Sequence, residues 1–375
     1  VKTQTAARAY RIADGFRARG VPVVLGGIHA TILPHEALLH ADAVAVGEAE
    51  ETWPRIVRDA RAGTMRGLYV ADGHPSLDGL PLPRRDLVDK SKYLTVNTVQ
   101  VTRGCPYGCD FCSVTRFYGA RCRSRGTDSV MAELDSLPPG VVFFTDDNFG
   151  GNIAAAKQLM RELAPLRRRW ISQTSLPSVA DEEFVDLAGA SGCAGLLIGF
   201  ESLSSDNLRA MRKAQNRPGM YAALIRRLHE RGIGVAASVI FGLDADDSSV
   251  FAPALQFAEE NGIEVLQVNV LTPFPGTDLY LRLRGEGRLP DEQWWLSAPA
   301  DYFGVHYRPR LMSADELRRG CVWLSRRFYS IPAIARRAVT GPGRSAAGLG
   351  VLLLVSMGYR RMFARERAPG GGTRE

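Results

Sequence analysis

Three cysteines, Cys105, Cys109 and Cys112, stand in the run Gly104-Cys-Pro-Tyr-Gly-Cys-Asp-Phe-Cys112, a C-x-x-x-C-x-x-C spacing. Thiolates so close on one stretch of chain can converge on a shared metal centre, and soft sulfur ligands select zinc, copper(I) or an iron–sulfur cluster. A structural zinc site takes four ligands, and no fourth Cys or His follows within the next turn or two of chain. An electron-transfer cluster also takes four cysteines, at other spacings. Three thiolates on a four-iron cluster leave one iron open. An enzyme needs that arrangement if a small molecule is to chelate the cluster and accept its electron. A three-cysteine zinc loop or a chance group of thiols is the plainer alternative.

Those thiols need a scaffold. The chain has 375 residues, 45% of them hydrophobic, enough for two domains or one barrel with appendages. Cys122, Cys193 and Cys321 are scattered, which is not a disulfide framework. An oxygen-sensitive cluster with reduced thiols, and no N-terminal signal sequence, lead us to expect a cytoplasmic protein. The net charge is +7, with arginine pairs at 318–319, 326–327, 336–337 and 360–361. Such a surface suits an anionic membrane, an acidic redox partner or nucleic acid, or is a solvated basic face. Nucleic acid is the least favoured of these partners.

The first seventy residues alternate helix and strand. A helix over about Thr5 to Arg19 precedes a strand over Val21–Leu25 that closes in Gly26-Gly27. A helix near Pro34 to His40 leads to the strand Ala43–Val46, Gly47, and a helix from Glu48 to about Ala62. Strands that end in glycine and feed helices describe half of a doubly wound α/β sheet. A Pro-, Gly- and Asp-rich linker covers 72–92. Six strand–helix units follow, with strands expected at Thr98–Thr102, Val141–Thr145, Trp170–Thr174, Gly195–Phe200, Gly234–Phe241 and Val265–Leu271. The expected domains are 1–71, a barrel over 93–289, and a helical, basic appendage over 290–375. Barrel sites lie at the C-terminal ends of strands, where Cys105 also falls.

The cysteine spacing, with Phe111 as the aromatic residue before the third cysteine, resembles the radical S-adenosylmethionine (SAM) superfamily. The resemblance implies a [4Fe-4S] cluster on Cys105, Cys109 and Cys112, SAM bound at the open iron, and reductive cleavage of SAM to a 5′-deoxyadenosyl radical that takes hydrogen from substrate. It also implies a partial (β/α)6 barrel. The run from Val23 to Thr31, followed by Asp42 to Glu50, resembles the second half of the cobalamin-binding domain that precedes many such barrels, with Gly26 and Gly27 approaching the cofactor tail. The domain's earlier elements, an Asp-x-His-x-x-Gly loop and a Ser-x-Leu strand, would lie upstream of Val1, so we expect a shortened domain that binds cobalamin weakly or not at all. His29 stands in the wrong motif for a cobalt ligand and reads as a loop histidine.

Within the barrel the resemblance assigns SAM contacts residue by residue. Asp146 and Asp147, in Phe143-Phe-Thr-Asp-Asp-Asn-Phe-Gly150, replace the more familiar Gly-Gly-Glu pattern that meets the SAM ammonium group; as bare sequence they are a helix N-cap cluster. Glu201, in Ile198-Gly-Phe-Glu-Ser202, is assigned to a ribose hydroxyl, with Gly199 giving room. Lys213 is assigned to the methionine carboxylate, or is a solvated lysine. Gln173 and Ser175 are similar candidates. The strand Ser238-Val-Ile-Phe-Gly242 resembles a G-x-I-x-G element, which places Ser238, Ile240 and Gly242 against adenine, and Asn269 beside the rigid turn Thr272-Pro-Phe-Pro-Gly-Thr277 is a further contact.

The appendage carries Trp294-Trp295, Tyr302, Tyr307, Trp323 and Tyr329, either a cover for the substrate pocket or packing on the barrel's outside. Leu349–Val355 is shorter than the roughly 20 apolar residues that span a bilayer, and with its flanking arginines reads as an interfacial helix. The expected activity is radical SAM chemistry, favouring a cobalamin-dependent C-methyltransferase acting on a small-molecule or lipid-like substrate, with an electron donor of flavodoxin or ferredoxin type. A cobalamin-free oxidoreductase or cyclase, and an iron–sulfur electron-transfer or binding subunit, stand as alternatives.

Overall fold

The computed structural model describes residues 1–93, 95–297, 301–340 and 346–365. Arg344, one of the residues flanking the apolar run, lies outside them. The chain divides into two compact units, one of Val1–Pro81, Gly104–Arg123 and Thr272–Tyr307, the other of Leu82–Arg103, Ser124–Leu271 and the chain from Arg308.

In the first unit three parallel strands, β1 (Val24–Leu25), β2 (Ala43–Val46) and β3 (Gly67–Val70), pair in sequential order. The middle strand is the sequence's Ala43–Val46, and its Ala43 and Ala45 join Ile56 and Tyr69 in a small apolar core. β1 is shorter than its apolar run because Pro22 has no N–H and the Val23 N–H goes to the Asp42 carboxylate at 2.8 Å. The helix expected from Glu48 starts only at Trp53. Glu48 is instead buried, ion-paired with Arg123 and 3.0 Å from His74 Nδ1. His29 is not on a loop: it sits in the helix Ile28–Ile32, buried, with Nε2 3.0 Å from Glu36 Oε1 and Nδ1 3.2 Å from Thr3 Oγ1.

The second unit is built on six parallel strands, β4 (Thr98–Val99), β5 (Val142–Phe144), β6 (Trp170–Thr174), β7 (Cys193–Glu201), β8 (Gly234–Phe241) and β9 (Val265–Val270). They pair in sequential order from β4 to β9. A doubly wound sheet reverses strand order at a switch point, whereas a barrel wall never does. This sheet never reverses, as a partial barrel requires.

The strands are amphipathic by period two. Trp170, Ser172 and Thr174 of β6 are buried and Ile171 and Gln173 are not; Leu266, Val268 and Val270 of β9 are buried and Gln267 and Asn269 are not. Residues paired across the ladders share a face, with Gln173 opposite Leu197, Gly199 opposite Ser238, and Ile240, buried near the strand end, opposite Asn269. One face of the sheet is therefore closed by packing and the other is open and partly polar.

Beyond the sheet, Ser313 and Glu316 form a reciprocal capping box that starts the helix Ala314–Phe328. That helix packs on β9 and ends at Tyr329, whose hydroxyl accepts from the Leu266 N–H (3.1 Å) and donates to the Leu266 carbonyl (3.0 Å). β9 is an edge strand, and Tyr329 satisfies backbone groups that would otherwise stay unpaired. Tyr329→Phe should lower stability by roughly 1–3 kcal/mol, the cost of stranding those groups. Urea unfolding measures it, and an unchanged midpoint would mean that the two bonds contribute nothing.

Candidate cofactor-binding site

The cysteine segment belongs to the first unit. It enters through Gly104, whose φ of +86° and closeness to the Arg121 carbonyl exclude a side chain. Cys105, Cys109 and Cys112 are each partly exposed, and a turn bond from the Cys112 N–H to the Cys109 carbonyl (3.2 Å) curls the segment back on itself. Phe111 is likewise partly exposed. The Asp110 carbonyl accepts the Leu279 N–H at 2.9 Å, tying the loop to the helix Asp278–Gly285 of the same unit. Cys193 and Cys321 differ sharply from the loop cysteines: both are buried, and burial pushes their thiols well above the usual range. A thiol held protonated in an apolar core is a poor metal ligand.

The second unit carries the carboxylates and amides that the sequence singled out, and it sorts them by face. Asp146 is fully buried. Its Oδ1 accepts the backbone N–H groups of Val101 (3.0 Å) and Thr102. That explains why β4 stops at Val99: the next amides are taken by a side chain, and the backbone is released toward Gly104. Burial drives the Asp146 carboxyl up to about 6, against the lowering effect of hydrogen bonds from Thr102 and Val101. Asp147, one residue on, is half-exposed.

Glu201 ends β7 in a left-handed conformation (φ +62°), where the β7–β8 register slips so that Ser238 faces Gly199 and Val239 faces Glu201. This is a β-bulge. The bulge carries the Glu201 carboxylate back over Gly199, where Lys213 Nζ meets Oε1 at 2.5 Å. A methyl group on Gly199 would meet that Oε1 and lie 3.0 Å from Lys213 Nζ, so the pair lies over Gly199 on the open face and would have to shift for any side chain there. Asn216 Nδ2 donates to the carbonyls of Gly199 (2.9 Å) and Phe200 (3.1 Å), and the Tyr221 hydroxyl donates to those of Phe200 and Ser202. The bulge is held from three sides.

Asn269 Nδ2 donates to Ser238 Oγ at 3.0 Å, joining β8 and β9 on the open face beside Ile240. Gln173 lies on that face as well. Ser175 is turned inward: its N–H donates to Asn148 Oδ1 (3.2 Å) and its hydroxyl lies 3.4 Å from that of Ser178. The Gly242 N–H donates to Asp246 Oδ2 (3.0 Å), and Asn207 Nδ2 donates to the other oxygen at 2.7 Å. Burial raises Asp246 to about 6. The structure thus brings Gln173, Glu201, Lys213, Ser238 and Asn269 to one partly polar side of the sheet, leaves Asp147 partly exposed just past β5, and puts Asp146, Ser175 and Gly242 into the backbone framework. Gln100 and Gln267 share the open side and escaped the sequence reading, although Gln267-x-Asn269 has the two-residue spacing that would have shown it.

Residues 99–258 match the radical SAM superfamily. The chain is 32% identical over 346 residues, 90% of its length and 75% of the relative's, to bacteriochlorophyllide d C-12(1)-methyltransferase of Chlorobaculum tepidum. The chain belongs to the radical SAM superfamily. Its fold is similar to that of TsrM, a radical SAM methyltransferase of Kitasatospora setae solved with cobalamin and a [4Fe-4S] cluster (TM-score 0.60, 20% identity, 75% of this chain and 63% of that one). It is also similar to OxsB, a cobalamin-dependent SAM radical enzyme solved with aqua-cobalamin and SAM (TM-score 0.63, 14% identity, 97% of this chain and 62% of that one).

Radical SAM membership brings a [4Fe-4S] cluster and SAM as cofactors, and the donor set fits the cluster: three accessible thiols on one irregular loop. Among the described residues no three His, Cys, Asp or Glu side chains converge as ligands of a single ion. A cluster that takes each thiolate on a different iron does not ask for that. The corrinoid fits less well. Gly26 and Gly27 do close β1, but Val1 packs on this turn, and a methyl group on Gly27 would lie 2.8 Å from the Val1 nitrogen.

Asp146 generates a prediction. Its replacement by Ala, which strands two buried N–H groups, should cost roughly 2–4 kcal/mol, whereas Asp146→Asn keeps an oxygen acceptor and should cost less. The folded-state value, about 6, lies above the ordinary 3.8, so the native state binds the extra proton in between. Stability from this group therefore falls as pH rises from about 4 to 6. Asp146→Asn should remove that part of the slope in urea midpoints taken across the window. An Ala variant as stable as the parent would show that the carboxylate does not hold the strand end.

Proposed function

We propose that this protein is a radical SAM C-methyltransferase that acts on an unactivated carbon of a small-molecule substrate. The observation that carries the reading is the long match, along nine-tenths of the chain, to a relative named as a C-methyltransferase. When bound, the reduced cluster supplies the electron that cleaves SAM into a species able to take hydrogen from carbon. In this reading the electron comes from a small carrier of flavodoxin or ferredoxin type. In this reading a second molecule of SAM is the source of the methyl group, and no step is assigned to cobalamin.

The chain's own residues take these roles. Cys105, Cys109 and Cys112 hold the cluster, with Phe111 beside them. Asp147, partly exposed just past β5, accepts from the SAM ammonium group; Asp146 is committed to backbone amides and does not. Glu201 and Lys213 act as one unit: SAM entering on that side meets a carboxylate suited to ribose hydroxyls and an ammonium suited to a carboxylate, already neutralising each other before it arrives. Ser238, Ile240 and Asn269 supply a hydroxyl, an apolar wall and an amide toward adenine, and Gln173 a further hydrogen bond.

Anaerobic reconstitution with iron, sulfide, SAM and a reductant tests the reading. The expected products are 5′-deoxyadenosine and a methylated substrate, and comparison with and without methylcobalamin shows whether the corrinoid is needed. Asp147→Ala should leave iron content intact and weaken SAM binding about tenfold to a hundredfold, the loss of one charge-assisted hydrogen bond. Cys122→Ala should keep the cluster, and replacement of any motif cysteine should lose it. Deoxyadenosine without any methylated product across candidate substrates would favour a radical SAM oxidoreductase or cyclase. Unchanged SAM affinity in both Asp147→Ala and Glu201→Ala would refute the placement of SAM.

A further inference from the structure

We propose that the outer face of the last described helix docks the protein on an anionic lipid bilayer without crossing it. The helix Ala346–Arg365 has two sides. Leu352, Ser356 and Phe363 are buried; Tyr359 stacks on Tyr329 at a ring distance of 5.0 Å, and Phe363 packs on it, tilted, at 5.8 Å. These residues anchor the helix along the second unit. Leu353, Leu354 and Met357 fall on the opposite side by helical spacing and are exposed, Leu354 by 66%. Arg361 is exposed one turn further along the same side. The preceding helix, Ile331–Thr340, packs against this one and exposes Ile331 and Val339, the latter by 84%.

An exposed apolar stripe needs an occupant, and the charge pattern selects it. From Leu317 to Arg365 the chain contains repeated arginines and no Asp or Glu. Arg319, Arg326 and Arg327 of the helix Ala314–Phe328 are exposed together with Arg361. A second copy meeting this face in a symmetric pair would set arginine against arginine. An anionic bilayer does the reverse: phosphate headgroups take the arginines while the leucines and methionine enter the acyl boundary. Among the described residues no helix is long and apolar enough to cross a membrane, and the buried stripe of this one is already engaged with protein. Contact is therefore peripheral, and salt should weaken it. The inference is independent of the reaction the protein catalyses.

The test is co-sedimentation of the full chain with vesicles of mixed phosphatidylglycerol and phosphatidylcholine, against vesicles of phosphatidylcholine alone, at low and high ionic strength. The expected result is binding to the anionic vesicles, release by salt, and little binding to the neutral ones. Arg361→Gln should weaken partitioning about fivefold, and Leu354→Ser with Met357→Ser at least as much. Both variants alter exposed side chains, so unchanged circular dichroism should accompany the loss. Absence of binding to anionic vesicles overturns the proposal, as does equal binding to neutral lipid. Binding that neither variant weakens overturns the assignment of the face. Concentration-dependent dimerisation that Leu354→Ser with Met357→Ser abolishes, without lipid binding, gives the face to a second copy instead.

Discussion

Glu201 holds a backbone angle that residues other than glycine seldom adopt, and much of the candidate SAM-binding face depends on that one departure. Such a conformation costs about 1–3 kcal/mol and persists only where the surroundings over-determine it. Here they do so from three directions: Lys213 on the carboxylate, and Asn216 and Tyr221 on the neighbouring carbonyls. Gly199 makes the arrangement sterically possible. Without the bulge, the alternation of β7 would carry the glutamate straight on along the strand; with it, the charge is folded back over the middle of the sheet.

A similar economy separates Asp146 from Asp147. Two identical side chains, adjacent in sequence just past the end of β5, end in opposite environments: one is buried against backbone amides and the other is partly exposed. The buried one closes the open amides left where β4 stops, and thereby fixes where the backbone leaves for the cysteine loop. The other stays partly exposed. Reading both as ligands from the Asp-Asn-rich motif misses this, since the partners of Asp146 are backbone groups 44 and 45 residues earlier.

What the sequence made legible was whatever depends on near neighbours. Trp170–Thr174, Gly234–Phe241 and Ala43–Val46 are strands with the limits their apolar runs suggest, and the cysteine spacing together with Phe111 pointed to the superfamily. Misreadings arose where distant residues intervene. Glu48 looked like the start of a helix, yet Arg123, 75 residues on, draws it into a buried ion pair. His29 looked like a loop residue until Glu36 and Thr3 enclosed it. Lys213 looked as though it were solvated or waiting for SAM; its partner is Glu201. The C-terminal apolar run was recognisable as too short to span a bilayer, but only its packing on Tyr329 tells which side faces outward.

The sequential strand order also sets a timetable. Each strand of the sheet, as it leaves the ribosome, finds its pairing partner already made, so the sheet can grow in the direction of synthesis without waiting for a distant segment. β9 pairs with β8 in the same way but has no later strand to cover its outer edge, and the cover of that edge, Tyr329, follows Leu266 by 63 residues. At ordinary translation rates of about 5–20 residues per second that is a delay of roughly 3–13 s. During that interval the nascent chain carries a bare apolar edge of the kind that recruits other strands. The aromatic appendage is thus the point at which a growing, association-prone sheet becomes a finished one.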